Sequence, residues 1–207
     1  MSMMKEQMKT WLRNMWWRQA KHRFPQQAEG KTLLHIGCGQ VNSPGYINID
    51  ARKFPHVHVV TKKITSLPLF PSDQADLIYM CHVLEHVTRM QVRAVLGEMR
   101  RILRPGGVLR ISVPDFDRII EIYSATDRSI DAIQGPLMGG QDYDYNFHHL
   151  AFNVRHLSDL LLSSGYREVR AWDPDNCQYH DFQDWASMRH EYGGRKFPIS
   201  LNLEAVK

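Results

Sequence analysis

The sequence predicts a doubly wound, mostly parallel α/β sheet preceded by an N-terminal helix, on three observations. The apolar run Leu33-Leu34-His35-Ile36 enters the turn Gly37-Cys38-Gly39, and a second run, Tyr46-Ile47-Asn48-Ile49, ends on Asp50. Strand-like and helix-like patterns then alternate through most of the chain, which is the pattern of a parallel sheet with helices on its faces. At 207 residues and 43% hydrophobic content the chain suffices for one such domain with an N-terminal appendage.

Residues 4–23 read as a helix, with Met4, Met8, Trp11, Met15 and the adjoining Leu12 and Trp16 at helical spacing. Strands are expected at 32–37, 45–50, 56–61, 76–81 and 107–113. A helix is expected from Met90 to Leu103, where Thr88 and Gln91 have capping-box spacing and Val92, Val95, Leu96, Met99, Ile102 and Leu103 share one face. Pro105-Gly106-Gly107 turns the chain out of it. Further helices are expected over Asp115–Ala125 and Asn153–Ser164, and two late strands, 167–172 and 199–206, fit an antiparallel pair at one sheet edge. The division drawn from this is an amphipathic basic helix over 1–28 and a domain over 29–207, with an insert at 127–150.

The bulk properties restrict the function. The net charge is +4, and residues 1–28 carry six Lys/Arg against Glu6 alone, leaving the rest close to neutral. Nucleic acid is thereby a poorly supported partner, since the positive charge is not spread over the fold. Cys38, Cys81 and Cys177 show no paired or metal-ligand spacing and suit a reducing cytosol, so a cytoplasmic location is expected. No apolar run is long enough to span a bilayer. The first helix either packs on the domain or, with its Trp and Arg content, makes peripheral contact with an anionic membrane through residues 4–23. Oligomeric state is not legible.

Only about eight residues, Cys38 to Gly45, separate the first two strands, with Pro44 among them. A parallel crossover normally takes a dozen or more residues and a helix. That helix is therefore expected to be missing, and the N-terminal helix is expected to cover the sheet face it leaves bare.

The glycine turn and the acid at adjacent strand ends suit a nucleoside ligand: the glycines admit close approach and a carboxylate accepts both ribose hydroxyls. A dinucleotide needs a helix N-terminus for its pyrophosphate and generally a third glycine, where Asn42 stands here. S-adenosylmethionine has no phosphate and needs neither. The plainer reading is that Gly37 and Gly39 serve a tight turn and Asp50 is a loop carboxylate.

Four segments in order carry a resemblance: His35-Ile36-Gly37-Cys38-Gly39, Leu67-Pro68-Leu69-Phe70, Ala75-Asp76-Leu77-Ile78-Tyr79-Met80-Cys81-His82-Val83-Leu84-Glu85-His86, and Leu103-Arg104-Pro105-Gly106-Gly107-Val108-Leu109. Over residues 32–207 the chain resembles the class I S-adenosylmethionine-dependent methyltransferases, in particular bacterial members with a short first loop, of the methyltransferase type 11 kind. The resemblance implies a seven-stranded Rossmann-like sheet with an antiparallel last strand. It also implies contacts of Gly37, Cys38 and Gly39 with the methionine part, Asp50 with the ribose, the Ile64 amide with adenine, and Cys81 and His82 beside the sulfonium. His35 stands where such proteins often have Asp or Asn, and Lys63 where an acid often meets adenine.

A base is needed only where the acceptor must lose a proton. Glu85 and His86 follow the fourth strand, although an acid there also suits a helix start. Asp115 follows the fifth and equally suits an N-cap. The insert Gly139-Gly140-Gln141-Asp142-Tyr143-Asp144-Tyr145-Asn146-Phe147-His148-His149 reads as a lid or acceptor wall. His148, then His149, is favoured as base or acceptor ligand, with helix capping the plainer role. Cys38 and Cys81 read as pocket-lining residues. No metal is expected, because His148, His149, His156 and His180 lack tight ligand spacing. The expected function is methyl transfer from S-adenosylmethionine to a small-molecule or glycan-type acceptor, the latter from the family's association with bacterial surface-polysaccharide biosynthesis. The alternatives are a catalytically inactive methyltransferase-fold interaction protein and an NAD-dependent oxidoreductase; an RNA methyltransferase would lack an appended RNA-binding module.

Overall fold

The computed structural model describes residues 2–25 and 29–207. Seven strands form the main sheet: β1 (Leu33–Ile36), β2 (Tyr46–Asp50), β3 (Val59–Val60), β4 (Ala75–Cys81), β5 (Leu103–Pro114), β6 (Glu168–Ala171) and β9 (Ser200–Val206). Their order is β3-β2-β1-β4-β5-β9-β6, and β7 (Arg189–Tyr192) and β8 (Arg195–Pro198) form a separate antiparallel hairpin. β1, β2, β3, β4 and β5 run parallel, while β9 is antiparallel to both β5 and β6. The chain steps outward from β1 to β3 and then restarts at β4 on the other side of β1. That is a topological switch point, and open α/β sheets bind ligands at the carboxyl ends of such strands.

Successive strand residues face opposite sides of the sheet. Leu34, Ile36, Ile47, Ile49, Ile78, Met80, Leu109 and Ile111 form the main core against α2 (Val92–Ile102) and α5 (Val154–Ser163). Leu33, Tyr46, Leu77, Tyr79 and Cys81 face the other way, against Trp172 and Ala186.

The connection from Gly37 to Gly45 holds turns and no helix, as the short loop requires. The β1-to-β2 and β4-to-β5 steps run in opposite directions across the sheet, so right-handed crossovers fall on opposite faces. The missing helix would therefore lie opposite α2, on the Tyr46 and Tyr79 face. The cover there is the irregular segment 172–186, tied down by Tyr46 Oη donating to the Tyr179 carbonyl (2.7 Å) and Tyr79 Oη donating to Asp184 Oδ2 (2.6 Å).

That corrects the expectation for the N-terminal helix. Helix α1 (Ser2–Ala20) lies on the α2 and α5 face and is anchored by Trp17 and Ala20, with Trp17 edge-on to Phe70 at 5.4 Å. Met4, Met8, Trp11, Leu12, Met15 and Trp16 stay 41–73% exposed. The boundary placed at residue 28 lies outside the described residues.

The capping box before α2 also fails to form. The Thr88 hydroxyl donates to Gln91 Oε1 while backbone amides 91 and 92 bond the Thr88 carbonyl, so the two residues close a turn instead. Within the insert the sequence reading missed α4 (Ile130–Met138), which Ser129 caps through its hydroxyl. Helix α3 (Phe116–Ala125) begins at Asp115, whose carboxylate accepts from the Asp117 amide at 3.1 Å.

Candidate functional site

The glycine turn is held from inside. Gly37 has φ +69°, a left-handed conformation, and a Cβ there would overlap Val83 Cγ2, so no side chain fits without displacing Val83. The Gly37 and Cys38 amides both donate to the Ile49 carbonyl (2.7 and 3.2 Å), which joins the turn to β2. Asp50, at the end of β2, accepts from the Gly39 amide on Oδ2 and from the Arg52 amide on Oδ1, each at 2.7 Å. Each oxygen thus spends one lone-pair site on the backbone and keeps one for a ligand.

Two cavities open at this edge of the sheet. The first, about 400 Å³, is lined by Gly37, Gly39, Asp50, Lys63, Ile64, Thr65 and His82. Tyr143, Tyr145, Phe147 and His149 of the insert also line it; Arg52 stacks over Tyr143 at 4.4 Å and Lys62 over Tyr145 at 5.6 Å. The second, about 640 Å³, is lined by Cys38, Cys81, Pro114, His148, Trp185, His190 and Tyr192. Trp185 stacks on His190 (5.6 Å, 14°) and His190 on Tyr192 (6.2 Å, 17°), giving one wall a ladder of parallel rings. Both volumes fall in the range of small-molecule sites. The cavities share Gly37, Gly39, Arg52, His82, His86 and Tyr143, so they meet where β1 and β4 end.

His82 reaches this junction with φ +52°, a conformation that costs a non-glycine residue and concentrates at functional sites. Its Nε2 lies 2.8 Å from Ser200 Oγ, whose hydroxyl hydrogen goes to the Trp185 carbonyl (2.7 Å). Nε2 therefore carries the ring hydrogen and Nδ1 the lone pair. Behind it Glu85 is fully buried, and neither carboxyl oxygen has a hydrogen-bond partner. Its Oε1 lies 3.3 Å from His82 Nδ1, out of hydrogen-bond alignment, and 4.0 Å from His148 Nε2.

Burial dominates the ionisation here. It pushes the Glu85 carboxyl up to about 8, so the acid holds its proton at neutral pH. Burial, with repulsion from His148, His86 and His190, lowers His82 to about 3. His148 falls to about 4 through burial and its neighbour His86, and His86 is lowered chiefly by burial. The imidazoles are neutral at pH 7. Cys38 is pushed up to about 12 by burial and by Asp50, and Cys81 is raised by burial, so both thiols stay protonated and act as apolar lining.

Most of the site residues read from the sequence converge. Gly37, Gly39, Asp50, Ile64 and His82 line the first cavity, and Cys38, Cys81 and His148 the second, with His86 in both. His86 and His148, distant in sequence, have ring centres 4.8 Å apart. His149 does not join them: its amide donates to the Glu85 carbonyl (2.7 Å) and the residue lines the first cavity. Asp115 lines neither cavity and serves as the α3 N-cap. The insert's aromatics close the first cavity, with Tyr143 reaching the second as well, while the stacked rings of the second are Trp185, His190 and Tyr192, which the sequence reading passed over.

Among known proteins, the family described as a methyltransferase domain matches residues 41–111. A probable S-adenosylmethionine-dependent methyltransferase of Mycolicibacterium smegmatis is 25% identical over 174 residues, covering 74% of this chain and 60% of the relative. The ubiquinone/menaquinone biosynthesis C-methyltransferase UbiE of Shewanella frigidimarina is 26% identical over 147 residues, covering 67% and 54%. The chain thus spans little more than half the length of these relatives. A crystal structure of a SAM-dependent methyltransferase from Archaeoglobus fulgidus superposes with a TM-score of 0.55 at 14% identity, covering 96% of this chain and 94% of that one. By these likenesses the chain is similar to S-adenosylmethionine-dependent methyltransferases, in part of its sequence and in its fold.

Proposed function

We propose that the protein transfers a methyl group from S-adenosylmethionine to a ring-bearing small-molecule acceptor. The observation that carries this reading is the junction. A cavity with a carboxylate and a side-chain-free turn meets a cavity with an aromatic wall, at Gly37, Gly39, His82 and His86.

The residues present fit the donor. Asp50 keeps one acceptor site on each oxygen for a vicinal diol, and Gly37 presents bare backbone. Ile64 and Thr65 offer an apolar and polar flank for a base, and Tyr143 and Tyr145 close the cavity from the insert. No helix follows the glycine turn, so no helix N-terminus faces the cavity from that loop, which counts against a pyrophosphate and hence against NAD. When bound, S-adenosylmethionine supplies a methyl group on a positively charged sulfur. What remains for the chain is to hold an acceptor in line and exclude water, and positioning of that kind is worth about 7–11 kcal/mol at best.

On the acceptor side, Trp185, His190 and Tyr192 offer stacked ring faces, and Pro114 and Cys81 fill the floor. A hydroxyl or amine acceptor must shed a proton, and neutral imidazoles at the junction present lone pairs for it, with His148 the first candidate. Within this class the finer reading is a glycan-type acceptor, of the kind used in bacterial surface-polysaccharide biosynthesis, since sugar rings stack on aromatic faces. A second reading concerns α1. Its outward Met and Trp side chains, with six Lys/Arg in residues 1–28, suit peripheral attachment to an anionic membrane. No helix among the described residues is long and apolar enough to cross one.

The test is transfer of labelled methyl from S-adenosylmethionine to a panel of sugars and hydroxylated rings, with His148→Ala beside the unaltered protein. The expected result is an unchanged donor Kd and at least about a hundredfold loss of turnover in the variant, the scale of general acid–base effects. Absence of donor binding by the unaltered protein would replace this reading with that of an inactive interaction protein.

A further inference from the structure

We propose that Glu85, His86 and His148 form a binding site for one divalent transition-metal ion, on the wall of the acceptor-side cavity. One ligating atom from each residue lies within 4.8 Å of the other two. The inference concerns the same pocket as the methyl-transfer reading but rests on neither donor nor acceptor.

Three features separate this cluster from a chance gathering. The first is Glu85, fully buried with both oxygens lacking a hydrogen bond. A buried carboxyl group in that state is costly unless a proton or a cation neutralises it. The second is the tautomer of the histidines. His86 Nδ1 lies 3.1 Å from the Phe147 carbonyl and His148 Nδ1 lies 3.0 Å from the Pro136 carbonyl. A carbonyl only accepts, so both Nδ1 atoms carry the hydrogen and both Nε2 atoms carry lone pairs. Histidines that bind metals are oriented in this way, through the ring N–H opposite the ligating nitrogen. The third is the direction of the two lone pairs nearest Glu85. His148 Nε2 faces Glu85 Oε1 at 4.0 Å, and His82 Nδ1, whose partner nitrogen donates to Ser200, faces it at 3.3 Å.

Among the described residues, the Glu85 carboxyl group is therefore faced by the lone pairs of His82 and His148 and makes no hydrogen bond of good geometry. A proton on the carboxyl group can bridge to one of them. An ion takes up the carboxylate and both Nε2 atoms together, at bond lengths of about 2.0–2.2 Å. Tetrahedral ligands at that radius stand about 3.3–3.6 Å apart, so the widest separation closes by little more than an ångström, within the reach of side-chain rotation. One carboxylate and two imidazoles suit zinc, cobalt or nickel, and a three-residue set on a cavity wall is the catalytic rather than the structural arrangement. Sequence spacing gave no hint of it, because Glu85-His86 and His148 meet only through the fold.

The experiment is titration of chelator-treated full-length protein with Zn²⁺ by calorimetry and with Co²⁺ by visible absorption, without donor or acceptor. The expected result is one equivalent bound, with loss of affinity by more than about tenfold in both Glu85→Gln and His148→Ala. His149→Ala, altering a residue of the other cavity, should bind as the unaltered protein does. Circular dichroism melting of each variant checks that it folds, and Glu85→Gln keeps the side chain's size. Absence of stoichiometric binding, or affinity unchanged in folded Glu85→Gln and His148→Ala, overturns the site. Turnover alone would not discriminate, since His148→Ala loses activity whether the residue accepts a proton or holds an ion. Conversely, a protein that binds Zn²⁺ here but no S-adenosylhomocysteine would sink the methyl-transfer reading and leave this one standing.

Discussion

Asp50 is the residue on which the proposed donor pocket turns. Its carboxylate fixes both walls of the glycine turn through the Gly39 and Arg52 amides and still has one acceptor site per oxygen. A ribose diol would fill those two sites with hydrogen bonds to a charged acceptor. Such bonds are worth about 1.5–3 kcal/mol each, so removing both costs about 3–6 kcal/mol. That corresponds to about 10²–10⁴ in Kd. Asp50→Ala has a second effect, because it leaves two backbone amides unpaired at a cost of about 1–3 kcal/mol each. Asp50→Asn lessens the second effect: it keeps the side chain's size and one acceptor oxygen, so one of the two backbone amides keeps its partner while the other faces the new NH2 group. The assay is calorimetric titration with S-adenosylhomocysteine, with melting curves of both variants alongside. Asn is expected to melt between the unaltered protein and the Ala variant and to bind at least about tenfold more weakly than the unaltered protein. Affinity within about threefold of the unaltered protein in a folded Asn variant would refute the ribose assignment.

Two further outcomes follow from the packing. His35 is buried beside Ser43 and its pKa is lowered to about 3, chiefly by burial. Unfolded chain takes up this proton below about 6.5 while folded chain does not, so the residue's contribution is present above pH 6.5 and is lost as pH falls. Between pH 6.5 and 5 the loss is about 2 kcal/mol, and urea unfolding at several pH values should show a shallower slope for His35→Asn; parallel slopes would mean that His35 is already charged in the fold. The two faces of α1 should also behave differently. Trp17→Ala is expected to cost about 3–5 kcal/mol by removing the anchor against Phe70, whereas Trp11→Ala leaves the melting temperature unchanged and weakens pelleting with anionic vesicles. Equal thermal effects of the two would contradict the docking described here.

The parts of this fold that were legible in the sequence are those fixed locally. The apolar runs of β1, β2, β4 and β5 are buried almost throughout, and the periodic face of α2 buries Val92, Val95, Leu96, Met99 and Ile102 as its spacing requires. The Gly37 turn and Asp50 were legible because they stand at the ends of consecutive strands and bond to each other's segments across a short stretch of sequence. What stayed hidden depends on contacts far apart in sequence. Glu85 reads as an ordinary acid near a helix start, and only the fold buries it beside His82 and His148. Of the insert's aromatics, Tyr145 and Phe147 line the first cavity alone and Tyr143 lines both, a division that proximity to His148 in sequence does not reveal. The β7–β8 hairpin did carry a local signal, Gly193-Gly194 between two short runs, but its strands are largely polar and the pattern went unread.

The short first loop and the acceptor wall are one structural decision. Without a helix after the glycine turn, the face carrying Leu33, Tyr46 and Tyr79 needs another cover, and segment 172–186 supplies it. The far end of that cover is fixed by Asp184, which accepts from Tyr79 Oη at 2.6 Å and from the Ala186 amide at 2.9 Å. Trp185 is thereby delivered to the second cavity, the proposed acceptor side, and its carbonyl holds the Ser200 hydroxyl that sets which nitrogen of His82 faces Glu85. A chain with a full first crossover would have its face covered by that helix and no need of this segment. The ring that lines the proposed acceptor side and the hydrogen-bond relay that orients the junction histidine therefore both descend from the nine-residue connection between β1 and β2, whose lack of a helix also counts against a pyrophosphate site in that loop.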